Sequence, residues 1–216
     1  MTTYSIVLIA QNEQVALNEA LQSVQRAAAE VGPAEIVYVD LGSSDQSIAL
    51  AKSLGVRALG LRSGHWQTYE AGCFFGFHET SGELLMLIKG ALVVDRMWLS
   101  RALAFFADST VAGVTGLLDG ASVPSHSSNV PTWEEGAQQL NVLRGSSVYR
   151  RSMLQAAKVF DPGRKVADNL ELATRLNQVG GKLLQLPFVM GRPTGSRSLG
   201  LSAYASTSYR TASLAA

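Results

Sequence analysis

The sequence predicts an α/β fold: a doubly wound, mixed but mostly parallel sheet flanked by helices, in a single domain. Three observations predict it. Residues 4 to 59 alternate strand, helix, strand, helix, strand, and parallel neighbours need crossovers of that length. The run Leu84 to Ile88 is wholly apolar, too short to span a membrane and of the length of a strand buried on both faces. With 216 residues and 47% hydrophobic content, the chain buries one good core, and one domain is the economical reading.

Tyr4–Ile9 is dense in β-branched and apolar residues, which suits a central strand. From Asn12, a candidate cap, Leu17, Leu21, Val24 and Ala28 recur at helical spacing. Gly32-Pro33 closes that unit. Ile36–Val39 is a second strand that delivers Asp40 to its carboxyl end. Gly42-Ser43-Ser44-Asp45 turns into a helix with Ile48, Ala51 and Leu54 on one face, with Ser43 or Ser44 as its expected cap and Asp45 as an acid of its first turn. Gly55–Leu59 reads as a third strand. Tyr69, Cys73, Phe74 and Phe77 lie at helical spacing ahead of Leu84–Ile88, which breaks at Lys89-Gly90-Ala91. Asp95 is a candidate cap for a helix carrying Leu99, Leu103 and Phe106. Val111–Leu118, Arg144–Met153 and Leu183–Val189 read as later strands, the second running into a helix. Residues 166–179 are helical by pattern, with Leu170, Leu172, Leu176 and Val179 apolar, and Gly180-Gly181 stops them. The stretch 121–135 is polar and proline-marked, a surface loop. The boundary falls at 190, leaving 191–216 as a Ser-, Ala- and Tyr-rich tail without regular period and with little expected order.

The formal charge is +1, from 18 basic and 17 acidic residues, which offers no field for nucleic acid or anionic lipid. A single cysteine, Cys73, excludes an internal disulfide and fits a reducing compartment, where it reads as a small buried hydrophobe. The first residues lack a basic region ahead of a long apolar stretch, so no signal peptide is expected. No segment reaches about 18 uninterrupted apolar residues, so no transmembrane helix is expected and a cytoplasmic setting is the default. His65, His78 and His126 lack ligand spacing for zinc. No nucleophile elbow, P-loop or dinucleotide glycine pattern occurs in its strand-to-helix setting.

In open α/β sheets ligands sit at the carboxyl ends of strands, which draws attention to Lys89. Here the chain resembles the family 2 glycosyltransferases, whose matching stretch reads G-E-[YL]-[LI]-x-[FL]-[LM]-D-x-D. Gly82-Glu83, the apolar run and Trp98-Leu99 fit that frame. Asn12-Glu13 resembles the end of the family's Pro-x-Tyr-Asn-Glu opening, and Val39–Ser47 its V-D-D-G-S-T-D-x-T turn. Arg144–Arg151 with Phe160-Asp161, and Asp168–Leu176, look like the two late motifs. The resemblance covers residues 4 to 190 and implies a GT-A-like fold, a nucleotide-sugar donor, and magnesium or manganese on the donor diphosphate.

Several positions depart from the pattern. Lys89 and Ala91 stand where the metal-binding aspartates belong, and neither supplies an oxygen ligand. Leu41 replaces the acid placed against the nucleotide base, Cys73-Phe74 replace an Arg-Asn pair, and Asn169 occupies the position of the catalytic base, where a carboxamide accepts no proton. No metal is therefore expected. The resemblance leaves Asp40, Asn12, Glu13 and Lys89 for a nucleotide, with Lys89 neutralising the diphosphate, and Asp168 and Lys89 as the residual catalytic candidates. The bland alternatives are a solvated lysine, a turn aspartate at 40, a helix-start acid at 168 and a surface ion pair between Glu171 and Arg175. Trp133-Glu134-Glu135 is either a remnant acceptor site or a helix start.

Two functions compete. In the first, the chain has lost metal-dependent sugar transfer and acts by binding a nucleotide, a sugar, a protein partner or its own copy, with the loop 121–135 and Tyr204 and Tyr209 of the tail as contact regions. In the second, it is an active metal-independent glycosyltransferase in which Lys89, with Arg192 or Arg197, stabilises the leaving diphosphate. Nucleotidyl transfer also wants metal-binding acids and meets the same objection.

Overall fold

The computed structural model describes residues 3–61, 67–119, 136–143, 145–163 and 167–194. His65, His126, Trp133, Glu134, Glu135, Arg197, Tyr204 and Tyr209 lie outside the described residues. The elements run β1 (Tyr4–Ala10), α1 (Gln14–Ala29), β2 (Ala34–Asp40), α2 (Ser47–Ser53), β3 (Arg57–Gly60), α3 (Tyr69–His78), β4 (Leu84–Lys89), β5 (Leu92–Val94), α4 (Trp98–Ala104), a 3-10 turn (Phe105–Ala107), β6 (Val111–Leu118), β7 (Gln138–Leu140), β8 (Ser147–Arg150), α5 (Arg151–Ala156), α6 (Asn169–Gln178) and β9 (Lys182–Pro193).

One mixed sheet orders these strands β3-β2-β1-β4-β8-β6-β9-β5, with β7 also on β9. β1, β2, β3 and β4 are parallel neighbours; β8 runs against both β4 and β6, and β9 runs parallel to β6. Six described strands therefore share one direction, and β5, β7 and β8 oppose it. Registers Ala10↔Asp40, Asp40↔Gly60 and Ile9↔Lys89 bring the carboxyl ends of β1 to β4 to a common edge.

The pleat sends alternate side chains to opposite faces. Ile6 and Leu8 join one core with Leu17, Leu21 and Val24 of α1 and Trp98 of α4; Val7 and Ile9 join the other with Phe77 of α3 and Leu172 and Leu176 of α6. On α3 the glycines matter: a Cβ at Gly72 or Gly76 would lie 2.4 Å from Ile9 or Val7, so this helix reaches β1 only because two of its residues have no side chain. Cys73 is buried there as expected.

Some expectations need correcting. β9 extends through Gly191–Pro193 and pairs with β5, so a boundary at 190 cuts the strand. Gly191 and Pro193 are poor strand formers, and tertiary pairing overrides them; a Cβ at Gly191 would meet the Val93 carbonyl oxygen at 2.3 Å. On α6 the buried residues are Leu172, Ala173 and Leu176, whereas Leu170 and Val179 of the expected stripe are exposed, because the sheet covers only one side of that helix. Among the described residues no helix is long and apolar enough to cross a membrane.

Candidate functional site

The carboxyl edge of the parallel strands is built by two interlocked loops and one strand end. Asp40, the last residue of β2, is fully buried. Its Oδ2 accepts the backbone N–H groups of Gly42 (3.1 Å) and Ser43 (2.7 Å), and its Oδ1 accepts the hydroxyls of Tyr38 (2.8 Å) and Ser43 (2.5 Å). With three donors from the following loop and one from its own strand, this carboxylate holds the loop in shape. Leu41 beside it is buried in the core.

Asn12 does not cap α1 as expected. It sits in the left-handed region, with φ 54°, and its Oδ1 accepts the Ser44 N–H at 2.9 Å while its own N–H donates to Ser43 Oγ at 2.8 Å. The cap of α2 is likewise not Ser43 or Ser44. Asp45 lies ahead of that helix, and its Oδ1 accepts the N–H (2.9 Å) and hydroxyl (2.5 Å) of Ser47. Its Oδ2 accepts the Gln14 N–H at the start of α1, at 3.1 Å. Burial alone would raise the Asp45 pKa, but these donors hold it below the ordinary aspartate value. Both departures arise because side chains look across to the neighbouring loop, a relation that helix-start patterns in one segment do not contain.

Glu13 lies between these loops. Only 8% of it is exposed, and no hydrogen-bond partner for its carboxylate exists among the described residues. Burial, and then the charge of Asp45, push its pKa up.

Lys89 ends β4 and is partly buried. Its backbone N–H donates to Ser146 Oγ at 3.0 Å, and its ammonium stands 5.3 Å from the centre of the Tyr69 ring. Among the described residues no carboxylate pairs with it. Gly90, with φ 72°, then turns the chain, donating its N–H to Ile9 O at 2.8 Å. Ala91 is buried, and its carbonyl accepts both the N–H and the hydroxyl of Thr194. An ammonium and a methyl do not fit a divalent cation, which takes hard oxygen ligands. Nor do three His, Cys, Asp or Glu side chains gather to hold a metal ion anywhere among the described residues.

Asp168 is exposed and caps α6, its Oδ1 accepting the Glu171 N–H at 2.9 Å; Asn169 opens the helix. Glu171 pairs with Arg175, one turn on. Arg192 pairs with Glu19 of α1. His78 is held against the Phe160 carbonyl at 2.8 Å, and burial pushes the Cys73 thiol well above its ordinary pKa. Tyr69 and Ser146 were not legible as site residues. Tyr69 reads only as part of a helical stripe, and Ser146 meets Lys89 through the antiparallel pairing of β4 and β8, which no local pattern announces.

A cavity of about 510 Å³ lies at the opposite edge, where Tyr4, Leu84 and Arg150 are in register. Its arginines are committed to the chain itself: Arg150 donates to the carbonyls of Phe106, Asp108 and Val111, and Arg151 to those of Phe77 and Gly82 and to the Thr80 hydroxyl. That cavity stands apart from the loops around Lys89.

Residues 5–156 match the family model described as Glycosyl transferase family 2. No curated protein matches the sequence. Among solved structures, S. aureus TarS 1-349 in complex with UDP-GlcNAc is 15% identical, with a TM-score of 0.69 over 93% of this chain and 61% of that one. The mannosyltransferase PcManGT from Pyrobaculum calidifontis, in complex with GDP-Man and Mn2+, is 16% identical, with a TM-score of 0.68 over 94% of this chain and 59% of that one. Glucosyl-3-phosphoglycerate synthase from Mycobacterium tuberculosis, in complex with Mg2+ and UDP, is 17% identical, with a TM-score of 0.62 over 91% of this chain and 73% of that one. The chain spans about three fifths of the length of the first two structures. At these identities the likeness is one of fold, the mixed open sheet of the GT-A glycosyltransferases.

Proposed function

The chain belongs to glycosyl transferase family 2, and from that membership we propose that it binds a nucleotide diphosphate or nucleotide-sugar at the carboxyl edge of its sheet and has lost metal-dependent sugar transfer. One observation carries the reading: Lys89, a cation without a carboxylate partner among the described residues, ends the strand where the family's metal-binding acids belong. A leaving diphosphate needs positive charge beside it. A lysine provides that charge as a fixed ammonium, with no ligand shell to assemble. Three structures of the same fold are complexes with UDP-GlcNAc, GDP-Man or UDP, which supports the class of ligand. Asn12, Glu13 and Asp40 shape the edge on which the nucleoside would lie. The proposal includes a cytoplasmic setting and a role exercised through binding, including binding of a protein partner or a second copy.

Thermal shift with uridine, guanosine and thymidine diphosphates and their sugars, with and without manganese, tests the reading. A rise in melting temperature that needs no metal and is lost in Lys89→Ala is expected. A rise that requires manganese overturns the loss of the metal site, and no rise with any nucleotide overturns nucleotide binding.

The same unpaired ammonium favours a second reading, an active metal-independent glycosyltransferase. Lys89 would stabilise the departing diphosphate, and Asp168, exposed with one oxygen on its helix cap, would take the acceptor proton. That reading expects sugar transfer unaffected by chelator and abolished in Lys89→Ala. Transfer retained by that variant removes it.

A further inference from the structure

Resting on the reading of Lys89 as the cation that meets a diphosphate, we propose that Tyr69 is its positioning residue: the ring fixes the ammonium in place without cancelling its charge. The geometry points to this in three steps.

A lysine ammonium rides on four rotatable carbons and is held by whatever meets its tip. Here the tip meets a ring face, with Lys89 Nζ 5.3 Å from the Tyr69 centroid. A ring attracts a cation through its quadrupole and carries no net charge. A carboxylate would hold the ammonium as well, but it would compete with an incoming phosphate for the same donors. Of the two kinds of holder, only the ring leaves the positive charge available to an anion.

The ring is itself anchored. Tyr69 opens α3 and is only 8% exposed, with the helix start capped by Thr68 Oγ1 accepting the Ala71 N–H at 3.2 Å. Its hydroxyl donates to the Gly145 carbonyl at 3.4 Å. The next residue, Ser146, completes the frame: its Oγ accepts the Lys89 N–H at 3.0 Å and its carbonyl accepts the Thr115 hydroxyl at 2.8 Å. The Gly145-Ser146 corner thus touches both the ring and the main chain of the lysine. Gly145, with φ 75°, makes that corner possible. Hydrogen bonds through that corner thus tie α3, β4, β6 and the approach to β8 together around Lys89.

The test is calorimetric titration of the full chain with uridine diphosphate in the absence of metal, using Tyr69→Phe, Tyr69→Leu, Lys89→Ala and the Tyr69→Leu/Lys89→Ala double variant. The phenylalanine variant keeps the ring and loses only the weak 3.4 Å hydroxyl anchor, so it should bind much closer to the parent than Tyr69→Leu does. Tyr69→Leu should weaken binding about tenfold. The double variant should bind no more weakly than Lys89→Ala alone, because the ring acts only through the lysine. Pentafluorophenylalanine at position 69 preserves ring shape while reversing its quadrupole, so it should reproduce the leucine loss in a protein with an unchanged melting curve. Equal loss in Tyr69→Phe and Tyr69→Leu, full binding by the fluorinated variant, or a further tenfold loss on adding Tyr69→Leu to Lys89→Ala would each overturn the proposal. Unchanged binding by Lys89→Ala would instead sink the reading of Lys89, so the two failures are distinct.

Discussion

Asn12 and Ser44, which follow different strands, are joined by a hydrogen bond: Asn12 Oδ1 accepts the Ser44 N–H at 2.9 Å. The reciprocal contact from the Asn12 N–H to Ser43 Oγ closes a two-point clasp between the loops after β1 and β2. Asn12 makes it from a left-handed conformation, φ 54°, which asparagine tolerates and alanine does not. Asn12→Ala should therefore cost about 2 kcal/mol, from the lost bond and the backbone strain together. Asn12→Gly, which loses the bond alone, should cost about 1 kcal/mol. Urea unfolding of the two variants measures the difference, and equal losses would show that backbone strain contributes nothing.

Asp40 carries the second prediction. Its carboxylate accepts four donors while fully buried, so every partner faces it with hydrogen. Asp40→Asn turns one acceptor into an NH₂ group aimed at donors and should cost about 3 kcal/mol, whereas Tyr38→Phe removes a single donor and should cost about 1 kcal/mol. The Tyr38 phenol is pushed up by burial and then by the Asp40 charge, so it stays a donor throughout the accessible pH range. Denaturant midpoints compare the two. A larger loss in Tyr38→Phe would mean the phenol, and not the carboxylate, organises the loop.

How much of this was legible follows from where each signal resides. β1, β2 and β4 announce themselves because strands buried on both faces are continuously apolar, and α1 because its Leu17, Leu21 and Val24 keep helical period. The replacement of acids by Lys89 and Ala91 is legible because it is a matter of residue identity at an ordered position. β5 and β7 are three residues each and form as partners of β9, too short for an alternating pattern to register, although the Leu-Val-Val of β5 suits a strand. The interloop roles of Asn12 and Asp45 are hidden for the same reason, since both lie 31 or 32 residues from the loop they serve. Tyr69 and Lys89 meet across a helix and a strand, where neither periodicity nor motif points from one to the other.

The Gly82-Glu83 pair, a mark of the family pattern, has a packing cause at its first residue. A Cβ on Gly82 would lie 2.5 Å from Ser5 Oγ and 2.6 Å from the backbone of Tyr4 and Ser5, and backbone cannot step aside cheaply. Gly82 also donates its N–H to Ser5 Oγ at 2.8 Å, and the same hydroxyl donates to Glu35. Gly82→Ala should thus destabilise by about 2–3 kcal/mol through overpacking. Glu83→Ala, on an exposed side chain, should change stability by less than about 0.5 kcal/mol. Thermal unfolding of both variants decides it, and parity between them would remove the steric account.

Glu13 gives the prediction with a sign in pH. Its pKa is raised, first by burial and then by Asp45, above the ordinary 4.5, so the native state holds the proton more tightly than the unfolded chain does. The linked stability is fully present below about pH 4.5, the unfolded value, and is lost as pH rises through the folded pKa. At neutral pH the ionised carboxylate, partly desolvated, without a hydrogen-bond partner among the described residues and facing the Asp45 charge, opposes folding. Glu13→Gln keeps shape and removes that charge. Its melting temperature should exceed that of the parent at pH 7, and the gap should narrow as pH falls through the raised Glu13 pKa and close below about 4.5, as the carboxyl takes up its proton. Asp45→Asn in the parent should narrow the gap at pH 7 by removing the facing charge, although it also forfeits the bonds to Ser47 and Gln14. Melting curves of Glu13→Gln and the parent at pH 7 and 5 therefore carry the decision. A gap that widens on acidification would mean that the ionised carboxylate stabilises the loops, the reverse of what its surroundings dictate.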